Sequence, residues 1–241
     1  MPAKTELDEL VEKLKKALGT DLLSVVLYGS AVTGDHNENF SDYNVLCILN
    51  QVTPVELAAS ERVFRWWKEK GNPSPLLLTA EEVTQSADCF AIEFHDIRAH
   101  HRILFGEDLV TDLAIDNSFY RAQVEHDLRA KLLRLRQKAS GILSDKDVLR
   151  RLLLDSVSTF CVLFRHALIL HGEEATVRKR EIIEGAQRHF GIDPAPFMTL
   201  LDRREERVKA DAIEPAMLLA KYMKEIEKVI GAVDRLARGK S

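Results

Sequence analysis

Apolar residues at Leu7, Leu10, Val11, Leu14 and Leu18 recur at helical spacing, and Thr5 and Asp8 frame a capping box ahead of them. The pattern predicts an amphipathic helix that stops at Gly19. Two short, β-branched apolar runs follow, Leu22 to Tyr28 (LLSVVLY) and Val45 to Leu49 (VLCIL), which read as central strands covered on both faces. Between Thr53-Pro54-Val55-Glu56 and Gly71-Asn72-Pro73 lies a second capped helix carrying Trp66 and Trp67. Pro75 to Thr79 (PLLLT) and Phe90 to Ile97 (FAIEFHDI) are expected as further strands, with a short capped helix from Thr79 to about Gln85 between them. A last apolar burst, Ile103-Leu104-Phe105, closes at Gly106.

Past Asp116-Asn117-Ser118 the period changes and every segment reads as helix. Phe119, Val124, Leu128, Leu132 and Leu135 mark one helix, and Val148 to Leu170 is apolar nearly all round, as in the middle of a bundle. Ile182, Ile183, Ala186 and Phe190 mark another, followed by a short helix near Phe197 to Leu201. A stripe of Ile213, Met217, Ala220, Met223, Ile226, Ile230 and Val233 predicts the last. The expected architecture is α/β (α+β): a mixed sheet with helices over residues 1–116, then an all-α bundle over 117–241.

Composition narrows the class of protein. At 46% apolar and 30% charged, the 241 residues are enough for one large core or two ordinary ones, which excludes disorder. No unbroken apolar stretch, Phe160 to Phe164 among them, comes near the roughly 20 residues of a membrane span, and the first residues carry no apolar run of a signal peptide. Cys47, Cys89 and Cys161 are odd in number and widely spaced, so neither a disulfide framework nor a CxxC clip is expected, and the cytoplasm is the expected compartment. Residues 1–115 hold 10 Lys and Arg against 19 Asp and Glu (net −9), whereas 116–241 hold 24 against 19 (net +5). An acidic half beside a basic half suits a metal-nucleotide bound between them.

Candidate chemistry concentrates in Tyr28-Gly29-Ser30-Ala31-Val32-Thr33-Gly34 and Ser41-Asp42-Tyr43-Asn44. Glycine at a strand end lets phosphate approach the backbone, Ser30 adds a hydroxyl, and the residues that follow can open a helix whose free N–H groups favour an anion. Asp35-His36 stands where a Walker A loop needs Lys-Ser/Thr, so that class is excluded. Asp42 and Asn44, two apart at a strand entrance, point to one face, and Tyr43 points away. An acid facing a glycine-rich anion loop suits Mg²⁺, which is commonly held by one or two carboxylates together with nucleotide phosphates.

These residues resemble the nucleotidyltransferase superfamily typified by DNA polymerase beta: G-S, a glycine a few residues on, then D-x-D on the next strand. Gly29, Ser30, Gly34 and Asp42 match, with Asn44 in the second acidic place. The order of an α/β module before a helical bundle looks like the aminoglycoside adenylyltransferases and the minimal nucleotidyltransferases of bacterial toxin-antitoxin pairs. Arg102-Ile103-Leu104-Phe105-Gly106-Glu107 is similar to a segment common among them. The resemblance implies metal-dependent transfer of a nucleotide monophosphate from a nucleoside triphosphate to a hydroxyl on a small molecule, a protein or an RNA end. It implies phosphate at Gly29, Ser30 and Gly34, Mg²⁺ (or Mn²⁺) at Asp42 and Asn44, no membrane partner, and self-association left open.

The departures are as informative. In active members both D-x-D carboxylates hold metal and a third acid on a neighbouring strand activates the attacking hydroxyl; Asn44 is neutral, a poor bridge between two ions. Leu76-Leu77-Leu78 offers no acid, so Glu93, set opposite Ile92 and Phe94 if the segment alternates, is the candidate base, with Asp96 second. The rival reading is a catalytically impaired nucleotide-binding or protein-interaction module, regulator or antitoxin-like. Two further groupings have plainer readings. His95, Asp96, His100 and His101 are expected on an exposed loop rather than around a metal. Arg165 and His171, six apart, resemble helical ribonuclease domains of the HEPN type only in that spacing.

Overall fold

The structure, a computed structural model, describes residues 5–33, 43–174, 176–207 and 214–236, except the side chains of residues 30 and 33. The chain forms two compact units, Met1–Ser118 and Phe119–Ser241.

In the first unit, the Thr5 side chain accepts a bond from the Asp8 amide and the Asp8 carboxylate takes the Thr5 amide, which starts α1 (Glu6–Leu18). β1 (Leu22–Tyr28) is a central strand, antiparallel to β2 (Asn44–Leu49) on one side and to β4 (His101–Gly106) on the other. β3 (Leu76–Thr79) runs parallel to β2, giving the order β3-β2-β1-β4 in one mixed sheet. β1 and β2 read as continuous apolar runs because both faces of the sheet are covered. Leu10 and Leu14 of α1, with Val63 and Trp67 of α3 (Pro54–Glu69), pack on Val25, Leu27, Val45 and Cys47. On the opposite face Val26, Leu46 and Ile48 meet Val83 of α4 (Ala80–Gln85) and Phe94 and Ile97 of α5 (Ala91–Ala99). Thr53 and Thr79 each build a capping box, with Glu56 and Glu82, so β3 passes into α4 with no connecting residue.

The edge of the sheet is locked by backbone contact. A Cβ at Gly106, whose φ is +79°, would stand 1.8 Å from the Leu23 carbonyl oxygen, so only glycine lets β4 end there. Buried Ser24 donates to the carbonyls of Phe105 (3.2 Å) and Glu107 (2.7 Å) at the same corner.

One element differs from the sequence reading. Phe90 to Ile97 does not form a strand: Ala91–Ala99 is helix α5. Its buried residues are Ala91, Ile92, Phe94 and Ile97, a spacing that a helix lays on one face, and the apparent alternation around Ile92 and Phe94 is a by-product of that spacing.

The second unit is helical among the described residues. It comprises α6 (Tyr120–Ser140), α7 (Lys146–Leu170), α8 (Lys179–Phe190), α9 (Ala195–Arg204) and α10 (Pro215–Leu236). α7 contacts each of the other four. It is long and apolar enough to cross a membrane by composition, yet more than half of that stretch is buried within the protein. Phe160 and Phe164 of α7 meet Phe197 of α9 and Tyr222 of α10 in an aromatic core with centroid separations from 4.8 to 6.5 Å. α10 buries Ile226, Ile230 and Val233 of the expected stripe, whereas in its first turns Met217 is 65% exposed and Leu219 and Tyr222 are buried in place of Met217 and Ala220. Ile213 lies outside the described residues.

Candidate active site

β1 ends at Tyr28, and Gly29 turns the chain with φ +80° into a single helical turn, α2 (Ser30–Thr33), closed by a bond from the Val32 amide to the Gly29 carbonyl (3.0 Å). Positive φ and a close neighbour both call for glycine here: a Cβ would come 3.1 Å from Asn44 Nδ2. The turn and the head of β2 are therefore packed together. Gly34 and Asp42 lie outside the described residues, as does the side chain of Ser30.

Asn44 is the cross-strand partner of Tyr28, and Tyr28 is also paired with His101 of β4. Directly opposed residues share a face, so Asn44, Tyr28 and His101 form one row across three strands at the end of β1. Tyr43 goes the other way: it packs with the α1 and α3 core, its ring centroid 6.1 Å from that of Trp67. Its backbone N–H donates to Asn72 Oδ1 (3.0 Å), and Asn72 is nearly buried beyond the end of α3. This bond holds the start of β2 in place.

Glu93 sits on α5 rather than on a strand. Its side chain is exposed between buried Ile92 and Phe94, and its charge still reaches the row. Burial, and then the negative charge of Glu93, push the Tyr28 phenol up to about 12. Asp96 is on the same helix three residues on, half-buried. The structure thus brings Gly29, Asn44 and Glu93 around Tyr28, a residue that sequence reasoning treated only as the last of its strand.

His101 is fixed at the other end of the row. Its Nδ1 bonds the Ile97 carbonyl (2.8 Å) and its Nε2 lies 3.3 Å from Asp108 Oδ2. The Thr111 hydroxyl donates to the same carboxylate at 2.6 Å, and the Val110 and Thr111 amides donate to Oδ1, both at 3.0 Å. The Thr111 hydroxyl above all, then the two amides and His101, hold the Asp108 carboxyl well below the usual carboxylate range. Of the four residues expected on an exposed loop, His100 lies in the bend between α5 and β4 and the other three are placed otherwise. His95 and Asp96 are helical, His95 contacts Asn117 Oδ1 (2.6 Å), and His101 belongs to β4.

Among the described residues no group of three or more His, Cys, Asp or Glu is arranged to hold a metal ion. The Asn44 amide oxygen is a hard donor of the kind Mg²⁺ takes; Asp42, the other residue expected to hold the ion, lies outside the described residues.

Residues 7–97 match the family model of the nucleotidyltransferase domain. That span runs from α1 into α5 and includes the Gly29 turn, the head of β2 and Glu93. In fold, the chain is similar to a spectinomycin adenyltransferase from Enterococcus faecialis, solved with ATP and spectinomycin. The TM-score is 0.61 and the identity 12%, over 95% of this chain and 98% of that one. No curated protein matches the sequence. The sequence match thus covers residues 7–97, and nearly the whole chain is similar in fold to that solved structure.

In the helical unit, Arg165 is buried within α7, and His171 caps that helix with its ring 5.0 Å from that of His189.

Proposed function

We propose that the protein is a nucleotidyltransferase that moves a nucleotide monophosphate from a nucleoside triphosphate to an acceptor hydroxyl. The observation that carries this reading is the gathering of Gly29, Asn44 and Glu93 around Tyr28 inside the segment that matches the nucleotidyltransferase domain. Gly29 and Ser30, with Gly34, receive the triphosphate on backbone N–H groups. Glu93 takes the proton of the acceptor hydroxyl as its oxygen bonds the α-phosphorus, and the bond to pyrophosphate breaks. Asp42 and Asn44 are the residues to hold Mg²⁺ or Mn²⁺, which when bound would offset charge on the phosphates. Tyr28 keeps its proton at neutral pH and does not compete with Glu93 as a base. The acceptor is a small molecule, a protein or an RNA end, and the free cysteines at positions 47, 89 and 161 suit the reducing cytoplasm.

Incubation with each α-labelled nucleoside triphosphate and Mg²⁺ or Mn²⁺, followed by analysis of protein, RNA and metabolites for label, tests the proposal. Label transferred by the wild type and not by Glu93→Gln supports it; binding without transfer to any acceptor overturns the enzymatic reading. One observation favours the second reading, a nucleotide-binding or interaction module: the neutral Asn44 amide is packed against Gly29, where active relatives carry a carboxylate.

A further inference from the structure

The helical unit carries a cavity of about 160 Å³ between α6 and α7, remote in sequence from the Gly29 turn and lined by Lys131, Arg134 and Lys138 on one side and Asp155 and Thr159 on the other, over buried Phe160. The three cations are three and four residues apart, so they stand in one row on α6. Neighbouring cations on that helix are ion-paired. Arg121 and Arg129 both bond Glu125, at 2.6 and 2.8 Å, and Arg136 pairs with Glu227 of α10. Lys131, Arg134 and Lys138 make no ion pair among the described residues, although like charges at this spacing repel. The helix thus separates paired cations from an unpaired row, and the unpaired row faces the cavity.

We infer that this groove binds the phosphate group of a small phosphate monoester. Three cations against one carboxylate leave a surplus of two positive charges at neutral pH, which matches a phosphate dianion. The Thr159 hydroxyl can donate to its oxygens. Asp155 repels phosphate but accepts from a hydroxyl beside it, which favours an ester of a polyhydroxylated molecule such as a sugar phosphate. A nucleic-acid strand fits less well: the cavity is compact, its aromatic floor is buried beyond stacking, and the cations that would extend the track, Arg129 and Arg136, are already paired.

The inference does not rest on nucleotidyl transfer, and its test keeps the two apart. Calorimetry on the full-length protein in EDTA compares ribose 5-phosphate, inorganic phosphate, ribose and a twelve-nucleotide RNA. Ribose 5-phosphate is expected to bind with an affinity that falls as salt rises, and ribose not to bind. Arg134→Gln with Lys138→Gln should weaken binding roughly tenfold or more through loss of two charge-assisted contacts, whereas Lys221→Gln with Lys224→Gln, the same charge removed from exposed positions of α10, should leave it unchanged. Gly29→Val, altered only in the first unit, should also bind ribose 5-phosphate normally. Equal affinity for inorganic phosphate supports the groove as a phosphate site and assigns it to the free anion rather than the ester. No binding of either phosphate compound, an unchanged affinity in the double variant, or binding of RNA alone would overturn the inference.

Discussion

The Asn44 amide lies against Gly29, with Nδ2 3.1 Å from the point where a Cβ would stand, so the Gly29 turn and the head of β2 are in contact. Gly29→Ala is expected to cost about 1–2 kcal/mol of stability from its positive φ. It should also lower nucleotide affinity beyond what partial unfolding explains. Combining it with Asn44→Ala, which removes the crowded amide, should recover part of the stability loss. Thermal melts and nucleotide calorimetry on the two single variants and the double decide this, and strictly additive effects would mean that the contact carries no energy.

Asn44→Asp separates enzyme from binding module. A carboxylate there adds a hard, charged donor on the face shared with Tyr28, and should tighten Mn²⁺ binding in the presence of a non-hydrolysable nucleotide. It should also raise transfer or reveal it where the wild type shows none. Tighter metal with no transfer in any variant would favour the binding module. Unchanged metal affinity would remove Asn44 from the metal site.

Glu93→Gln should act on two observables at once. The Tyr28 phenol, about 12 in the wild type, should fall toward its ordinary value yet stay above it, because burial is the larger cause and persists. A ¹³C-tyrosine NMR titration, with Tyr28→Phe to assign the signal, measures this. Transfer activity should fall by roughly 10²–10⁴ if Glu93 is the base. A Tyr28 shift without an activity loss would leave Glu93 beside the site but outside the chemistry.

Asp108 gives the first unit a pH dependence of definite sign. Its folded carboxyl titrates below the unfolded one, so its contribution is complete above about pH 4, the ordinary Asp range, and is lost as pH falls through the folded value. Asp108→Asn should therefore be less stable than wild type at pH 7, and the gap should narrow in acid. Melting curves between pH 7 and pH 3 check it; a gap that widened on acidification would contradict the assignment.

The sequence was legible where one segment determines its own structure. The capping residues Thr5, Thr53 and Thr79 mark three helix starts, and the continuous runs of β1 and β2 announce strands covered on both sides. The opposite facing of Tyr43 and Asn44 also follows from local alternation. α5 was not legible: its N-cap, Phe90, makes no side-chain cap bond, and its β-branched and aromatic residues mimic a strand. The phase of the first turns of α10 was not legible, because packing on Phe160 of α7 and Phe197 of α9 is what selects Tyr222 over Met217. The roles of Asn72 and His101 were not legible for another reason. The partner of Asn72 is a backbone N–H 29 residues away, and His101, though only four and seven residues from the carbonyl and carboxylate it meets, bonds them across the turn from α5 into β4, which no periodic pattern marks.

Mounting Glu93 on α5 changes how this site can evolve. An acid on a strand has two addresses, since a one-residue slip sends it through the sheet to the opposite core. On a helix the same slip turns it by about 100° around the axis, leaving it near the end of β1 at a new angle. Because α5 begins after a loop and needs no register with the sheet, insertions near Ser86 to Phe90 would re-aim the acid while β1, β2 and the Gly29 turn stay as they are.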